Sequence, residues 1–130
     1  MTDPLTEVLQ LLGEQSFAID EGDARGWAET FTEDGSFSSP TYGEPIQGRA
    51  DLTAFAARHD STVAGRHVVT GTHLVRTDPR GEKHHARSTL LIVAPAPDGD
   101  ARVLRITTID DHLVRVDGRL LVERRQVTRH

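Results

Sequence analysis

The hydrophobic residues of this chain change their period near Val63: ahead of it they recur at helical spacing, and beyond it they alternate. The alternating part divides into strand candidates at residues 64–77, 83–95, 102–116 and 119–128. Turn signals separate them: Thr77-Asp78-Pro79-Arg80-Gly81, then residues 95–100, then Asp117-Gly118. That last dipeptide is the strongest hairpin signal in the chain, because a type I′ turn requires positive φ at both central positions. Consecutive hairpins predict an antiparallel sheet.

The part before Val63 reads as three helices. Asp3-Pro4 opens the first, with Asp as N-cap and Pro at the first helical position; Leu5, Val8, Leu9, Leu12 and Ile19 form its apolar face. Gly22 ends it in the usual left-handed position. Asp23 caps a second helix running through Trp27 to Phe31. Residues 33–49 are turn-rich, with short extended pieces around Phe37 and Ile46. A third helix covers residues 50–59, with Leu52, Phe55 and Ala56 as its apolar positions. Helices first and a long-stranded antiparallel sheet afterwards make an α+β layout. Strands this long bend, and helices packed on one face of a bent sheet leave a concavity fit for a small molecule.

Composition removes several classes of function. The 130 residues suit a single domain, 1–130, with no repeat, linker or low-complexity segment. Fifteen Lys+Arg against 20 Asp+Glu give a net charge of −5, the wrong sign for nucleic acid or an anionic membrane as main partner. No apolar run approaches the roughly 18 residues of a membrane span, and no basic-then-apolar leader opens the chain, so the cytoplasm is the expected compartment. Zero Cys excludes disulfides, thiolate metal sites and Cys nucleophiles. There is no G-x-S-x-G elbow, phosphate loop or dinucleotide fingerprint, and Ser38 and Ser39 have no motif around them. No cofactor is expected.

Two residues stand out as carriers of chemistry. Asp20 lies about 75° from the centre of the first helix's apolar stripe, at about 100° per residue, on the flank of the buried face. The helix dipole disfavours a carboxylate in the last turn, so local helix stability does not explain it. It is either a solvated acid in the run Asp20-Glu21-Gly22-Asp23 or part of a site. His67 shares one side of its strand with Val69, Gly71, His73 and Val75, and is either a satisfied core histidine or a base. A carboxylate holding its Nδ1 hydrogen would aim the other ring nitrogen for proton abstraction beside a carbonyl.

The remaining ionisable residues carry weaker signals. His67 and His73 are roughly 20 Å apart along the strand, too far to share an ion, and no metal site is expected. His84-His85, at a hairpin end beside Glu82 and Lys83, reads as solvated. The Asp117-Gly118 hairpin brings Asp111 within a diagonal step of Arg125. That pair is either structural, at the sheet surface or a dimer seam, or else Arg125 stands at the cavity mouth holding an anionic or oxygen-rich substrate.

Four segments together, FAIDEGDARGWAETFTEDGSF, GRADLTAFAA, GRHVVTGTHLV and DDHLVRVDGRLLVERRQV, resemble the SnoaL-like branch of the nuclear transport factor 2-like superfamily. The resemblance runs from about Leu5 to Val127 and implies a cone: a curved antiparallel sheet wrapped around three N-terminal helices, with one deep pocket. The family includes polyketide cyclases, scytalone dehydratase, a dehydrochlorinase, steroid isomerases and members with no known activity. Its Asp at the end of the first helix and His at the start of the first long strand fall on Asp20 and His67. Its late arginine falls on Arg125, and the acid of its Y-x-D strand on Asp111, with Ile109 in the aromatic's place. Scytalone dehydratase's second catalytic His would fall near Ile92 to Ala94, where this chain has none, and the Trp typical of the last strand is Leu120.

The resemblance therefore implies a cofactor-independent lyase or cyclase acting on a hydrophobic, oxygenated small molecule. Asp20 and His67 would be catalytic, and Tyr42, Phe55, Val69 and Arg125 would bind substrate. A homodimer through the outer sheet face is also implied. The alternatives are a ligand-binding or dimerisation module of the same fold, and an epoxide-hydrolase-like site built on Asp111 and Arg125.

Overall fold

The computed structural model describes residues 3–130 and, within them, every side chain except those of Thr72 and His73. The elements run α1 (Pro4–Asp20), α2 (Ala24–Ala28), β1 (Phe31–Ser38), β2 (Ile46–Gln47), α3 (Arg49–Ala57), α4 (Ser61–Ala64), β3 (Arg66–Thr77), β4 (Lys83–Pro95), β5 (Ala101–Val116) and β6 (Arg119–Arg129). The strands form one curved, unclosed sheet in the order β2-β1-β6-β5-β4-β3, with the helices against its inner face. The α+β expectation holds. Every neighbouring pair is antiparallel except β1 beside β6, which runs parallel. That exception follows from connectivity, since β1 is reached from the helices and not through a hairpin.

The later strands lie where alternation placed them. The Asp117-Gly118 turn has φ of 51° and 81°, the left-handed pair a type I′ turn demands. Earlier in the chain the structure departs from the reading. The second helix stops at Ala28 and not at Phe31, and the short extended piece expected around Phe37 is an eight-residue strand that Phe31 opens. Phe31 is fully buried, Arg49 donates to its carbonyl at 2.8 Å, and its register with β6 slips before Ser36. Tertiary pairing with β6 thus overrides a Gly- and Ser-rich local sequence. Ser61–Ala64 form a helical turn capped by the Asp60 carboxylate, so β3 begins at Arg66.

The buried stripe of α1 is rotated from the expected one. Val8, Leu11, Leu12 and Ile19 are buried together with Gln15, whereas Leu5 and Leu9 are each 47% exposed. Gln15 shifts the stripe because it has partners inside: its amide donates to Thr30 Oγ1 at 2.9 Å and accepts from Arg125 at 2.7 Å. In β3 the expected alternation fails between Val69 and Gly71 and again between Thr72 and Leu74, where the ladder to β4 slips. The placement expected for His73 concerns a side chain outside the described residues.

His84 corrects another expectation. It is 3% exposed, not solvated, and its Nδ1 shares a hydrogen bond with Thr77 Oγ1 at 2.8 Å, while its Nε2 has no partner among the described residues. His85 is half-buried, stacks on His112 with centroids 4.8 Å apart, and lies 3.3 Å from Asp110. Burial, reinforced by the Arg115 charge, holds His84 below the ordinary histidine value; burial does the same to His112 and His59. Folding therefore favours the neutral ring, and the unfolded chain takes up the proton first. Stability should be complete above about pH 6.5 and fall as pH drops through and below it. Urea unfolding midpoints at about pH 7.5 and 5.5 should show this loss, and His84→Gln should make it smaller.

Candidate active site

Asp20 is the last residue of α1, and its side chain is 4% exposed. Its Oδ1 accepts from His67 Nδ1 at 2.7 Å, and its Oδ2 accepts from the backbone N–H of His67 at 2.8 Å. One carboxylate thus grips a single residue of β3 at two points. The helix end is held in turn by Ser61, whose hydroxyl donates to the Asp20 carbonyl at 2.8 Å. A carboxylate only accepts, so Nδ1 of His67 carries a hydrogen, and Nε2 is the ring nitrogen not engaged by Asp20. The ring is mostly buried and lines the main cavity.

A second imidazole belongs to the same cluster. His59, two residues past α3, donates from Nε2 to the Gly65 carbonyl at 3.0 Å and lies 3.7 Å from Asp20 Oδ1. Its ring centroid is 4.9 Å from that of His67. Burial first, then the neighbouring His67 charge, keep this ring below the ordinary histidine value. Gly65 makes the approach possible: its φ is 97°, and a Cβ there would come within 2.8 Å of Ile92 Cγ2. Sequence reasoning missed His59, although Leu52, Phe55 and His59 follow helical spacing.

Asp20, His59 and His67 place one carboxylate oxygen and two ring nitrogens within 4.8 Å of one another, the donor set of a three-ligand metal site. The bonds already made argue for a proton network instead. The 2.7 Å between Oδ1 and Nδ1 is an N–H···O separation, and His59 Nε2 is spent on a carbonyl.

The cavity encloses about 620 Å³ counted out to its open mouth. Its aromatic wall joins Trp27, Phe37, Phe55 and Tyr42: Phe37 and Phe55 have centroids 5.1 Å apart, and Tyr42 meets Phe55 edge-on at 4.9 Å. Leu90, Ile92, Ile109 and Val127 form the sheet side, with Arg105 and Thr107 among them. Arg125 stands on the same wall, 5% exposed, donating to both oxygens of Asp111 at 2.7 and 2.8 Å and to Gln15. Asp111 and Arg125 are directly opposite, not diagonal, because the β5–β6 ladder slips between His112 and Leu113. The pair is a buried one, not a surface pair.

With that arrangement described, comparison with known proteins places the chain. The SnoaL-like domain profile matches residues 3–126. The chain belongs to the SnoaL-like domain family. Among solved structures, ActVI-ORFA from Streptomyces coelicolor is 32% identical, with 95% of each chain covered and a TM-score of 0.81. A Catenulispora acidiphila protein solved in complex with S-DNPA is also 32% identical, covering 95% of this chain and 91% of that one, at 0.78. An NTF2-like protein with a cystatin-like fold from Novosphingobium aromaticivorans reaches 0.82 at 19% identity, over 94% of this chain and 79% of that one, and speaks for the fold alone. No protein of curated function matches the chain in sequence.

In this SnoaL-like chain the residues singled out from sequence fall close together. Asp20 and His67 meet; Tyr42, Phe55 and Arg125 line the same cavity as His67. Val69 lines a smaller hollow behind it, shared with Leu12, Ile19, His67, Leu90 and Arg125. Trp27, Arg105 and Gln15 were not singled out for the site. Trp27 carried no signal beyond its place in the second helix, no motif marks Arg105 in its strand, and the role of Gln15 depends on Thr30 and Arg125, both far from it in sequence.

Proposed function

We propose that this SnoaL-like protein is a cofactor-independent lyase or cyclase acting on a hydrophobic, oxygenated small molecule, with His67 as general base. The observation that carries the reading is the 2.7 Å contact between Asp20 Oδ1 and His67 Nδ1, with the second ring nitrogen left for the cavity. His67 Nε2 takes a proton from a carbon next to a carbonyl, and the C–H electron pair becomes an enolate. Asp20 keeps the ring oriented and stabilises the imidazolium as it forms. In an elimination, the enolate re-forms the carbonyl and expels a β-hydroxyl, which leaves as water with the proton from His67. In a cyclisation, the same carbanion attacks a second carbonyl of the substrate, and His67 returns the proton to the new alkoxide. Arg125 or Tyr42 steadies the developing oxyanion.

Two rival readings fare less well on the geometry. A purely ligand-binding cone would not need a carboxylate committed to Nδ1 of His67. An epoxide-hydrolase-like site needs Asp111 and Arg125 to face the cavity together with a second acid. Here Asp111 is 2% exposed and bound at both oxygens, and no acid is among the described residues lining the main cavity.

We also propose that a second copy of the chain covers the outer face of the sheet. Register aligns Val68, Leu91 and Ile106 in one apolar row across β3, β4 and β5, beside Val103 and Leu104, which are 52% and 41% exposed. An exposed apolar row of this kind is the sort of surface that a protein partner covers. Sedimentation should show a dimer for the natural chain and a monomer for Ile106→Lys; a natural chain that sediments as a monomer contradicts the pairing.

The catalytic reading is tested by exchange of acidic C–H for deuterium in β-hydroxyketone substrates, followed by NMR. Exchange should fall by about 10²–10⁴-fold in His67→Ala and Asp20→Asn, with circular dichroism unchanged. Exchange at the natural rate in either variant would remove this mechanism.

A further inference from the structure

We propose that the cavity takes a substrate bearing a carboxylate, and that Arg105 is the group that holds it. The inference deepens the small-molecule reading given above and rests on it. Among the described residues lining the main cavity, Arg105 is the charged side chain for which the structure shows neither an ion pair nor a hydrogen bond. Arg125, the other cation there, has its charge matched by Asp111 and its direction fixed by Gln15. Outside the main lining, Asp20 has Arg66 Nε 3.9 Å away. Among the described lining residues the Arg105 guanidinium is thus the fixed positive charge left without a carboxylate beside it.

The position of that charge follows from the register. His67 pairs with Ile92 and Ile92 with Arg105, so the three form one row across the inner face of β3, β4 and β5. With neighbouring strands about 4.8 Å apart, the Cα atoms of His67 and Arg105 are about 10 Å apart. The β4–β5 ladder slips between Ile92 and Val93, beside Arg105, and such a bulge re-aims the adjacent side chain. Leu104 and Ile106 on either side are exposed on the outer face, whereas Arg105 is half-buried and lines the cavity. Arg105 shares that lining with Leu90, Ile92 and Ile109, and the structure shows no partner for its charge. A ligand anion supplies the missing partner.

The geometry favours a carboxylate over a phosphate. A guanidinium presents a planar fork that matches two carboxylate oxygens. Phosphate sites recruit additional backbone N–H donors from nests or helix N-termini. No helix start and no glycine is among the described lining residues. A ligand anchored at Arg105 spans the row toward His67 and lays its apolar body on the aromatic wall of Trp27 and Phe55.

The test uses Trp27, the only tryptophan of the chain and a lining residue, as a fluorescent reporter of occupancy. The probes are 2-naphthylacetic acid and the uncharged 2-naphthylacetamide, at neutral pH. The natural chain should bind the acid roughly tenfold more tightly than the amide, and added salt should weaken only the acid. Arg105→Gln removes no internal contact and should keep its fold by circular dichroism; it should bind the two probes equally while holding the amide as before. Equal affinity in the natural chain, a preference that survives Arg105→Gln, or binding of neither probe would each overturn the proposal. The same titration on Asp20→Asn should leave the preference intact, so failure of the proton-abstraction reading and failure of this one register separately.

Discussion

The two-point hold of the Asp20 carboxylate on His67 joins the end of α1 to the first turn of an edge strand, and the site is built around that junction. A carboxylate at a helix C-terminus opposes the helix dipole, and burying it adds a desolvation cost. Both are offset only because a backbone N–H and a ring N–H are presented together, at 2.8 and 2.7 Å. The contact therefore does two things at once. It fixes where β3 begins relative to α1, and it fixes which nitrogen of His67 can act as a base.

The opposite wall is built on a related principle. Arg125 and Asp111 are buried charges, and breaking such a pair is strongly destabilising even where the pair itself adds little net stability. Their value here is positional: Gln15 from α1 and Asp111 from β5 hold the Arg125 guanidinium in one direction on the cavity wall. The slip in the β5–β6 ladder after His112 is what brings the two residues face to face. Arg105, by contrast, makes no ion pair or hydrogen bond among the described residues, as the proposed carboxylate-binding role requires. Members of one family with the same cone can thus differ in chemistry through a handful of inward-facing positions.

How far the sequence could be read depended on whether a residue's environment was local. The strand pattern after Val63 and the Asp117-Gly118 turn were legible because alternation and positive φ are properties of neighbouring residues. Asp20 and His67 were legible as candidates because each sat oddly in its own element, and the family resemblance paired them. β1 was legible only around Phe37, because its opening residues from Phe31 become strand through parallel pairing with β6, nearly ninety positions later. His84 was misjudged as solvated for a similar reason: its burial comes from packing that the hairpin sequence does not encode. His59 escaped attention because its importance lies in distances to Gly65, Asp20 and His67 across two turns and a strand.

The most direct test of the account is heteronuclear NMR of the imidazole nitrogens of His67 at neutral pH. The account predicts that the neutral form of the ring carries its hydrogen on Nδ1, and that this single tautomer is lost in Asp20→Asn. A hydrogen found on Nε2, or a His67 spectrum indifferent to Asp20→Asn, would contradict it.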